Sequence, residues 1–405
     1  MEESSRFVTG IDIGTKNVRA VLGEKGSDGM ISVLGYSEVP SAGMRRGIVA
    51  SGEDVFAAVD SCLVNVEKMS GKQIDGATVS INGINLISTR IDGMLPIQPD
   101  QEIDDECLRR LEDVAIAGKV PENREVLEIH PFDYAIDGQW GMGMPRGMKG
   151  SRLEMRANAI SALRPEYENM MNALSRQYKV GLVPAIVAAS EAVLTRKQME
   201  NGVGVIDLGD STTSVAIYDE GELQYLGVIP IGSNDITKDL AMILKTIPEV
   251  AEEVKLRFAS ANFEKNDKDF TIKHERTDYT FNRAEVDEVV EARLEEIFEK
   301  VCEHLKRAGY AKRLPEGVIL TGGGANMRGI DAYAREKVEL AARIGKPGAN
   351  IKNEVRDVMK PEYATAVGLM LMDAYDTGEG KIEKSVKNRK SKNGGFLKNF
   401  GKWFK

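Results

Sequence analysis

The sequence has few of the residue types that build disulfide frameworks or metal centres. It contains only three cysteines and three histidines in 405 residues, and none of them has the spacing typical of a zinc site. This scarcity argues against a fold held together by disulfides or by a Cys/His metal centre. The first residues, MEESSRFVTG, have no charged-then-apolar pattern, so we expect no signal peptide.

Long apolar runs are absent as well. No stretch approaches the roughly 18–20 apolar residues that cross a bilayer, so we expect a cytoplasmic protein whose membrane contact is peripheral. The formal net charge of −9 argues against a nucleic-acid-binding body. The length is sufficient for two or more domains.

The charge is distributed unevenly along the chain. The segment from Lys381 to Lys405 has nine Lys/Arg and one Glu, a net of +8, which leaves −17 for the remainder of a chain with a total of −9. A basic end on an acidic body predicts contact with an anionic surface.

Two segments repeat one pattern. TGIDIGTKNVRAVLGEKG (9–26) and GVIDLGDSTTSVAIYDEG (204–221) each have the pattern of a strand, an Asp-x-Gly turn and a second strand. In this register Asp12 corresponds to Asp207, and Gly14 corresponds to Gly209. The repeat predicts two similar α/β lobes whose turns face one cleft.

Both turns have the composition of an anion-binding site. Glycine allows the backbone to approach a ligand closely, and successive N–H groups in a tight turn attract an anion. Two carboxylates beside a polyphosphate would repel it, so Asp12 and Asp207 imply Mg²⁺, held through water. Further hydrogen bonds are available from Thr15, Ser211, Thr212 and Thr213. Two ordinary hairpins with Asp-Gly turns are the alternative interpretation.

A third glycine-rich segment, GVILTGGGANMRGI (317–330), follows an apolar strand. Gly322, Gly323 and Gly324 at the carboxyl end of a strand suit close approach to a flat ligand or a sugar–phosphate. The alternative is a flexible connection between a strand and a helix.

Three glycine turns in this order resemble the actin/Hsp70/sugar-kinase ATPase superfamily, with phosphate-1, phosphate-2 and adenosine motifs. Within it, the chain resembles the FtsA family, the bacterial cell-division proteins that link FtsZ filaments to the membrane. The resemblance also rests on 45–71, 137–154, 361–372 and the terminal tail, and DGQWGMGMPRGMKGSRLE (137–154) is the most discriminating stretch. The nucleotide-binding residues that it implies are Asp12, Gly14, Thr15, Lys16, Asp207, Gly209, Asp210, Ser211, Thr212, Thr213, Glu252, Lys255, Gly322, Gly323, Gly324 and Met327.

The resemblance implies an α/β, actin-like two-lobed fold of duplicated ribonuclease-H-like lobes, with an inserted small α+β 1C domain of the SHS2 type. The implied parts are 1A at 1–83, 163–200 and 355–378, 1C at 84–162, 2A at 201–230 and 309–354, 2B at 231–308, a flexible linker at 379–395 and an amphipathic helix at 396–405. The apolar spacing independently predicts helices over 102–118 and 284–307.

The family places a Glu and a Lys from a helix after phosphate-2 against ribose and adenine. Glu252 and Lys255 match this pair, although a surface ion pair is the alternative. Phosphate-2 departs from the common pattern, because Asp210 and Ser211 replace two glycines. Asp210 can still help to hold hydrated Mg²⁺, whereas the Ser211 side chain is expected to weaken affinity.

The residue that orients the attacking water is also missing. In Hsp70 and MreB this residue is a Glu before a Pro, but here Val183 precedes Pro184, and Glu191, two helical turns later, is a poor substitute. The catalytic residue is therefore unknown. We expect ATP and Mg²⁺ to bind, with slow or negligible hydrolysis.

The tail has the pattern of an interfacial helix. On a helical projection one face carries Phe396, Leu397, Phe400, Trp403 and Phe404, and Lys398, Lys402 and Lys405 lie on or beside the other. Apolar residues toward the acyl boundary and lysines toward anionic head groups predict membrane binding. Docking of this helix on the protein's own body is the alternative.

The sequence thus suggests an ATP-binding adaptor that anchors FtsZ filaments at the division site, on the cytoplasmic face of the membrane, with nucleotide as an assembly switch. The expected partners are the FtsZ C-terminal peptide through 2B, other division proteins through 1C, further copies of the chain and an anionic membrane, but no nucleic acid. A PilM-like pilus scaffold and a small-molecule kinase are the alternatives. The first does not explain the terminal helix, and the second lacks a clearly placed acidic base.

Overall fold

A computed structural model of the chain describes residues 6–98, 101–263, 268–348, 350–353 and 355–375. The predicted linker and amphipathic helix, residues 379–405, lie outside the described residues. Among the helices in the described ranges, none is both long and apolar enough to cross a bilayer.

The first part of the chain supplies most of one lobe. Its elements are β1 (Arg6–Ile13), β2 (Asn17–Lys25), β3 (Ile31–Pro40), β4 (Met44–Arg45), β5 (Ile48–Val49), α1 (Gly52–Ser70) and β6 (Gly76–Ile81). α1 begins after Ser51, whose hydroxyl accepts a hydrogen bond from the Asp54 N–H, and it ends at Gly71 with φ of 67°. Its apolar face packs on β2 and β3.

A separate four-stranded antiparallel sheet follows, which we call the inserted domain. Its elements are β7 (Ile87–Pro96), α2 (Asp105–Ile116), β8 (Arg124–Ile136), β9 (Gln139–Met142) and β10 (Arg152–Leu163), with strand order β7-β10-β8-β9. α2 confirms the helix predicted over 102–118, and it begins at Asp104, whose carboxylate caps the Cys107 N–H. Leu111, Leu153 and Met155 belong to a core of this domain's own.

The chain then returns to the first lobe. It adds α3 (Arg164–Leu174), β11 (Lys179–Pro184), α4 (Ala185–Val193) and α5 (Arg196–Asn201). β11 pairs in parallel with β6 and completes a five-stranded sheet of order β11-β6-β1-β2-β3. We call this unit lobe I.

The remaining elements form lobe II and a helix that returns to lobe I. They are β12 (Val203–Leu208), β13 (Thr213–Asp219), β14 (Glu222–Ile229), α6 (Ser233–Ile243), α7 (Pro248–Phe258), β15 (Asp269–His274), β16 (Thr277–Asn282), α8 (Arg283–Arg307), β17 (Val318–Thr321), α9 (Ile330–Val338), β18 (Ala342–Ile344) and α10 (Ala364–Tyr375). Short 3-10 helices cover Gly323–Asn326 and Pro361–Tyr363. α8 confirms the helix predicted over 284–307 and buries its apolar stripe in the core of lobe II.

The two lobes have the same sheet. Lobe II has the order β14-β13-β12-β17-β18, which matches β3-β2-β1-β6-β11 in lobe I, strand for strand and in the direction of every pairing. The duplication predicted from the Asp-x-Gly repeat is therefore confirmed. The limits proposed for the individual subdomains stay predictions.

α10 fixes the base of lobe I through glycine contacts. A Cβ atom at Gly368 would lie 1.7 Å from the carbonyl oxygen of Ala188 in α4, and one at Gly10 would lie 2.1 Å from the carbonyl oxygen of Ala366. Because no side chain fits at either position, α10 packs at backbone distance on both α4 and β1.

Candidate functional site

The two Asp-x-Gly turns have the same backbone geometry. The Gly14 N–H donates to the Asn17 carbonyl at 3.0 Å, and the Gly209 N–H donates to the Thr212 carbonyl, also at 3.0 Å. A Cβ atom would lie 2.9 Å from the acceptor oxygen at Gly14 and 2.7 Å from it at Gly209. Both turns therefore require glycine at this position, as the repeat predicts.

Asp12 stands at the end of β1, where β6 runs parallel to it. Its Oδ1 accepts a hydrogen bond from the Ser80 hydroxyl at 3.0 Å, and the same hydroxyl accepts from the Ile13 N–H at 2.8 Å. Burial raises the pKa of the Asp12 carboxyl, while the Arg19 guanidinium and the Ser80 hydrogen bond oppose that rise. Ser80 thus fixes the orientation of the carboxylate.

Asp207 occupies the equivalent place in lobe II. Burial raises the pKa of its carboxyl to about 7, and the negative charge of Asp12 adds to this rise. The two carboxyl groups are therefore close enough to repel each other, as the cleft predicted from the repeat requires. Both side chains remain partly exposed.

This pair fits a hydrated divalent cation. A cation would relieve the repulsion that raises the pKa of Asp207. In the described part of the chain, no three His, Cys, Asp or Glu side chains are grouped to hold a metal ion. Two carboxylates suit Mg²⁺, which keeps several waters and commonly shares its coordination with substrate phosphates.

The lobe II turn is supported by the start of α6. The N–H groups of Ser233 and Asn234 donate to the carbonyls of Gly209 and Asp210, at 2.9 and 2.8 Å. The Ser211 hydroxyl donates to the Asp210 carboxylate at 3.0 Å.

Two further predicted turn hydroxyls, those of Thr213 and Thr15, also bond within the protein. The Thr213 side chain is fully buried, and its hydroxyl donates to the Ile231 carbonyl at 2.9 Å. In lobe I the Thr15 hydroxyl accepts from the Gly47 N–H at 3.2 Å. These bonds brace the two turns.

The third glycine segment packs against Asp207. Gly322 has φ of 81°, and a Cβ atom there would lie 2.2 Å from the Asp207 Oδ1. A Cβ atom at Gly324 would lie 2.8 Å from the Leu208 Cβ, whereas one at Gly323 would meet no heavy atom within 4 Å. Gly323 therefore faces open space. Met327 ends the 3-10 helix and packs partly against the core of lobe II.

Glu252 on α7 joins the two lobes. Its carboxylate accepts hydrogen bonds from Lys16 of the lobe I turn, from the Thr237 hydroxyl at 2.5 Å and from Lys255 at 2.7 Å. Lys255 is buried and also donates to the Ser233 carbonyl at 3.2 Å. The structure therefore brings Lys16, Glu252 and Lys255 together, although they are far apart in sequence.

The charges in this group depend on one another. Burial alone would raise the pKa of Glu252, but the bonds from Lys16, Lys255 and Thr237 outweigh it and lower the pKa to about 2. Burial lowers the pKa of Lys255, and its bond to Glu252 opposes that change. Glu252 is consequently a carboxylate across the whole physiological pH range.

The structure gives Val183 no role in catalysis. Its side chain is buried and packs with Ala188 and Leu369. Burial raises the pKa of Glu191 to about 7. Glu191 acts electrostatically on Tyr218, at the end of β13 opposite to the 209–212 turn.

Ser80, Arg19 and Thr237 contribute to the site but were not predicted. Ser80 is the last residue but one of β6, which is parallel to β1 and pairs Ile11 with Val79, so a strand-pairing argument would have placed Ser80 beside Asp12. Arg19 lies opposite Asp12 in the β1–β2 ladder. Thr237 is recognised only through its contact with Glu252.

Comparison with known families gives two matches. The family model described as "Cell division protein FtsA" matches residues 204–368, and the model of the "SHS2 domain inserted in FTSA" matches residues 83–161. The cell division protein FtsA of Pseudomonas aeruginosa is 33% identical over 387 residues, which cover 93% of this chain and 92% of that protein.

Solved structures with the same fold include two at low sequence identity. The chain is similar to the PilM-PilN type IV pilus biogenesis complex, with a TM-score of 0.67, 16% identity and coverage of 91% of this chain and 98% of that one. It is also similar to MreB5 of Spiroplasma citri bound to ADP, with a TM-score of 0.54, 15% identity and coverage of 95% and 99%. These similarities show an actin-like fold.

Proposed function

The chain belongs to the FtsA family of cell division proteins, and from this premise we propose that it is a nucleotide-dependent membrane adaptor for FtsZ. In this proposal ATP–Mg²⁺ binds in the cleft, nucleotide favours self-association, and the tail holds the resulting polymers on the cytoplasmic face of the membrane at the division site.

The convergence of residues in the cleft carries the nucleotide part of the proposal. The third glycine segment packs against Asp207 of the second turn, and Asp12 of the first turn is close enough to raise the pKa of Asp207. Gly323, in the third segment, faces open space. The backbone N–H groups of the two turns suit a polyphosphate. Asp12 and Asp207 suit Mg²⁺, and Glu252 and Lys255 suit the ribose and the base.

The proposal includes slow or negligible hydrolysis. Attack on a γ-phosphate needs a group that orients water, and an apolar Val183 buried among other apolar side chains cannot provide it. Steady-state phosphate release at the rate of a robust ATPase would contradict this part.

The membrane part depends on weak binding in many copies. A helix of about ten residues is marginal in water, so it folds on the membrane and holds one copy only weakly. Linking several copies raises avidity by roughly 10²–10⁴, which makes attachment depend on polymerisation.

The proposed FtsZ site is on the α8 side of 2B, at its boundary with 2A. Between α8 and α9 is a groove of about 360 Å³, lined by Glu295, Phe298, Glu299, Cys302, Glu303 and Lys306 of 2B and by Lys337 of 2A. Charged walls around an apolar floor suit a short peptide of mixed character, such as the FtsZ C-terminal peptide. Other division proteins are expected on the inserted domain.

Co-sedimentation with anionic liposomes tests the proposal. We expect the full chain with ATP–Mg²⁺ to pellet with liposomes and to carry FtsZ with it. Deletion of residues 394–405 should leave the protein in the supernatant while ATP binding is retained.

A tryptophan pair provides a matched control. Trp403→Glu should release the protein from liposomes, whereas Trp140→Glu, at an exposed position of the inserted domain, should not. Unchanged sedimentation of Trp403→Glu would refute the membrane anchor, and ATP-independent pelleting would refute the switch.

A further inference from the structure

β14 is an edge strand of the lobe II sheet in the described part of the chain, and the inserted domain covers its open edge. An edge strand leaves a row of backbone N–H and C=O groups without partners in the sheet. If such groups are buried, they need hydrogen bonds from elsewhere in the protein.

Two side chains of the inserted domain provide these bonds. The Ser88 hydroxyl both accepts from the Leu226 N–H and lies within bonding distance of the Leu226 carbonyl, at 3.0 Å in each case. The Asn158 amide donates to the Leu223 carbonyl at 2.7 Å, and this bond is buried. We call Ser88 and Asn158 the β14 clip.

Apolar contacts continue the same junction. Leu127 and Ile160 of the inserted domain belong to one buried cluster with Leu223 and Leu226 of β14, and this cluster also includes residues of lobe I. The cluster is separate from the inserted domain's own core around α2. The inserted domain therefore packs on lobe II as well as on lobe I.

Charged groups lie at the end of the junction. Glu128 and His130 of β8 are buried, with 2.8 Å between Oε2 and Nε2. Burial raises the pKa of Glu222 at the start of β14, and an electrostatic interaction with His130 opposes that rise. The Glu128–His130 pair lies within the inserted domain, so it is the electrostatic interaction with Glu222 that crosses the junction to lobe II.

The chain connectivity makes this junction mechanically significant. The inserted domain is connected covalently to lobe I, between β6 and β11, yet the β14 clip attaches it to lobe II. If lobe II rotates against lobe I, the inserted domain must either break these contacts or move with lobe II.

We propose that the β14 clip makes the inserted domain move as one body with lobe II, so that its position relative to lobe I reports the closure of the cleft. β14 follows β13, which begins directly after the 209–212 turn, and Thr213 at the start of β13 bonds to Ile231 just beyond β14. A change at the turn is thus transmitted along one hairpin to the clip. The inserted domain then presents its outer surface differently in the open and closed states. The nucleotide dependence of this movement rests on the proposed function, but the clip itself does not.

Distances between spin labels on the full chain test the proposal. Labels are attached at exposed positions of lobe I, the inserted domain and lobe II, by Lys68→Cys, Arg110→Cys and Glu336→Cys. The background carries Cys302→Ser, because Cys302 is partly exposed while the other two cysteines are buried. One label pair measures the distance between lobe I and the inserted domain. A second pair measures the distance between the inserted domain and lobe II.

The clip variant is Ser88→Ala/Asn158→Ala. Its matched control is Asp104→Ala/Asp133→Ala, which removes two side chain–backbone bonds inside the inserted domain, to Cys107 and Gly141. Without nucleotide, we expect the distance distribution between inserted domain and lobe II to be narrow in the parent and the control, and at least twice as wide in the clip variant. Equal widths in all three would overturn the proposal. If the double variant does not fold, Ser88→Ala alone is compared, with the same expectation in direction.

ATP–Mg²⁺ provides the second readout. In the parent we expect it to change the distance from lobe I to the inserted domain while the distance from the inserted domain to lobe II stays fixed. If ATP–Mg²⁺ changed the distance from the inserted domain to lobe II and left the distance from lobe I to the inserted domain fixed, the proposal would be overturned. A fluorescent-nucleotide titration is run in parallel: absence of binding would refute the proposed function, and the widths measured without nucleotide would still decide whether the clip holds.

Discussion

The turn at residues 14–17 of lobe I is more exposed to solvent than the turn at residues 209–212 of lobe II. In the first, Lys16 is exposed to solvent except for its bond to Glu252. In the second, Ser211 and Thr212 are buried, and α6 bonds to the turn backbone. One backbone geometry is thus built with a more exposed turn in lobe I and a more buried turn in lobe II, and the two turns should respond differently to substitution.

The largest difference is expected at the contact between Asp207 and the third glycine segment. Gly322→Ala combines a positive φ with a Cβ atom 2.2 Å from the Asp207 carboxylate, so we expect a loss of about 2–4 kcal/mol in the free energy of unfolding. Urea denaturation measures this. Gly323→Ala is the control and should change stability by less than about 1 kcal/mol, because its Cβ meets no atom within 4 Å. Similar losses in the two variants would show that the close contact with Asp207 does not cause the loss in the free energy of unfolding of Gly322→Ala.

The next effect concerns the two carboxylates. The pKa of Asp207 is about 7 in the folded protein and near the ordinary 3.8 when unfolded, so the folded state binds more protons between these values. Stability without Mg²⁺ or nucleotide should therefore fall as the pH rises from about 4 to 7. Asp207→Asn should flatten this dependence and stabilise the protein at pH 8 by about 1–3 kcal/mol, less than the full pKa change implies because the group is partly exposed. Urea denaturation at pH 5 and pH 8 checks it, and an unchanged pH slope would contradict the assignment.

The turn glycines compare the two sides directly. We expect Gly209→Ala to destabilise the protein by about 1–3 kcal/mol and Gly14→Ala by about half as much, because the more exposed first turn can shift toward solvent around the added atom more easily than the buried second turn. A Cβ atom would lie 2.7 Å from the acceptor oxygen at Gly209 and 2.9 Å from it at Gly14, which also predicts the larger loss for Gly209→Ala. Thermal unfolding of both variants decides the order. A larger loss for Gly14→Ala would reverse the comparison.

The smallest stability effect is expected at Lys16. Lys16→Ala removes a partly exposed ion pair with Glu252, and such pairs contribute about 0–1 kcal/mol. Its effect on nucleotide affinity should be much larger if Lys16 contacts phosphate, and titration with a fluorescent nucleotide measures it. Lys238→Ala, which removes an exposed pair with Asp235, is the control and should leave affinity unchanged.

The sequence predicts the local parts of this architecture better than the remote ones. The Asp-x-Gly turns, α2 and α8 follow from glycine positions, capping residues and apolar spacing, which act over a few residues. The hydrogen bond from Ser80 to Asp12 and the bonds from α6 to the 209–212 turn join residues that only the completed sheets bring together. The β14 clip joins Asn158 to a residue 65 positions later in the chain, and no local pattern marks it.

The covered edge of β14 also affects how a deletion should be understood. A chain without the inserted domain would expose the outward N–H and C=O groups of an apolar strand that includes Leu223 and Leu226. Exposed edges of this kind pair with other chains and promote aggregation. Insolubility after such a deletion would therefore reflect unprotected strand pairing, so loss of division activity would not by itself identify a partner of the inserted domain.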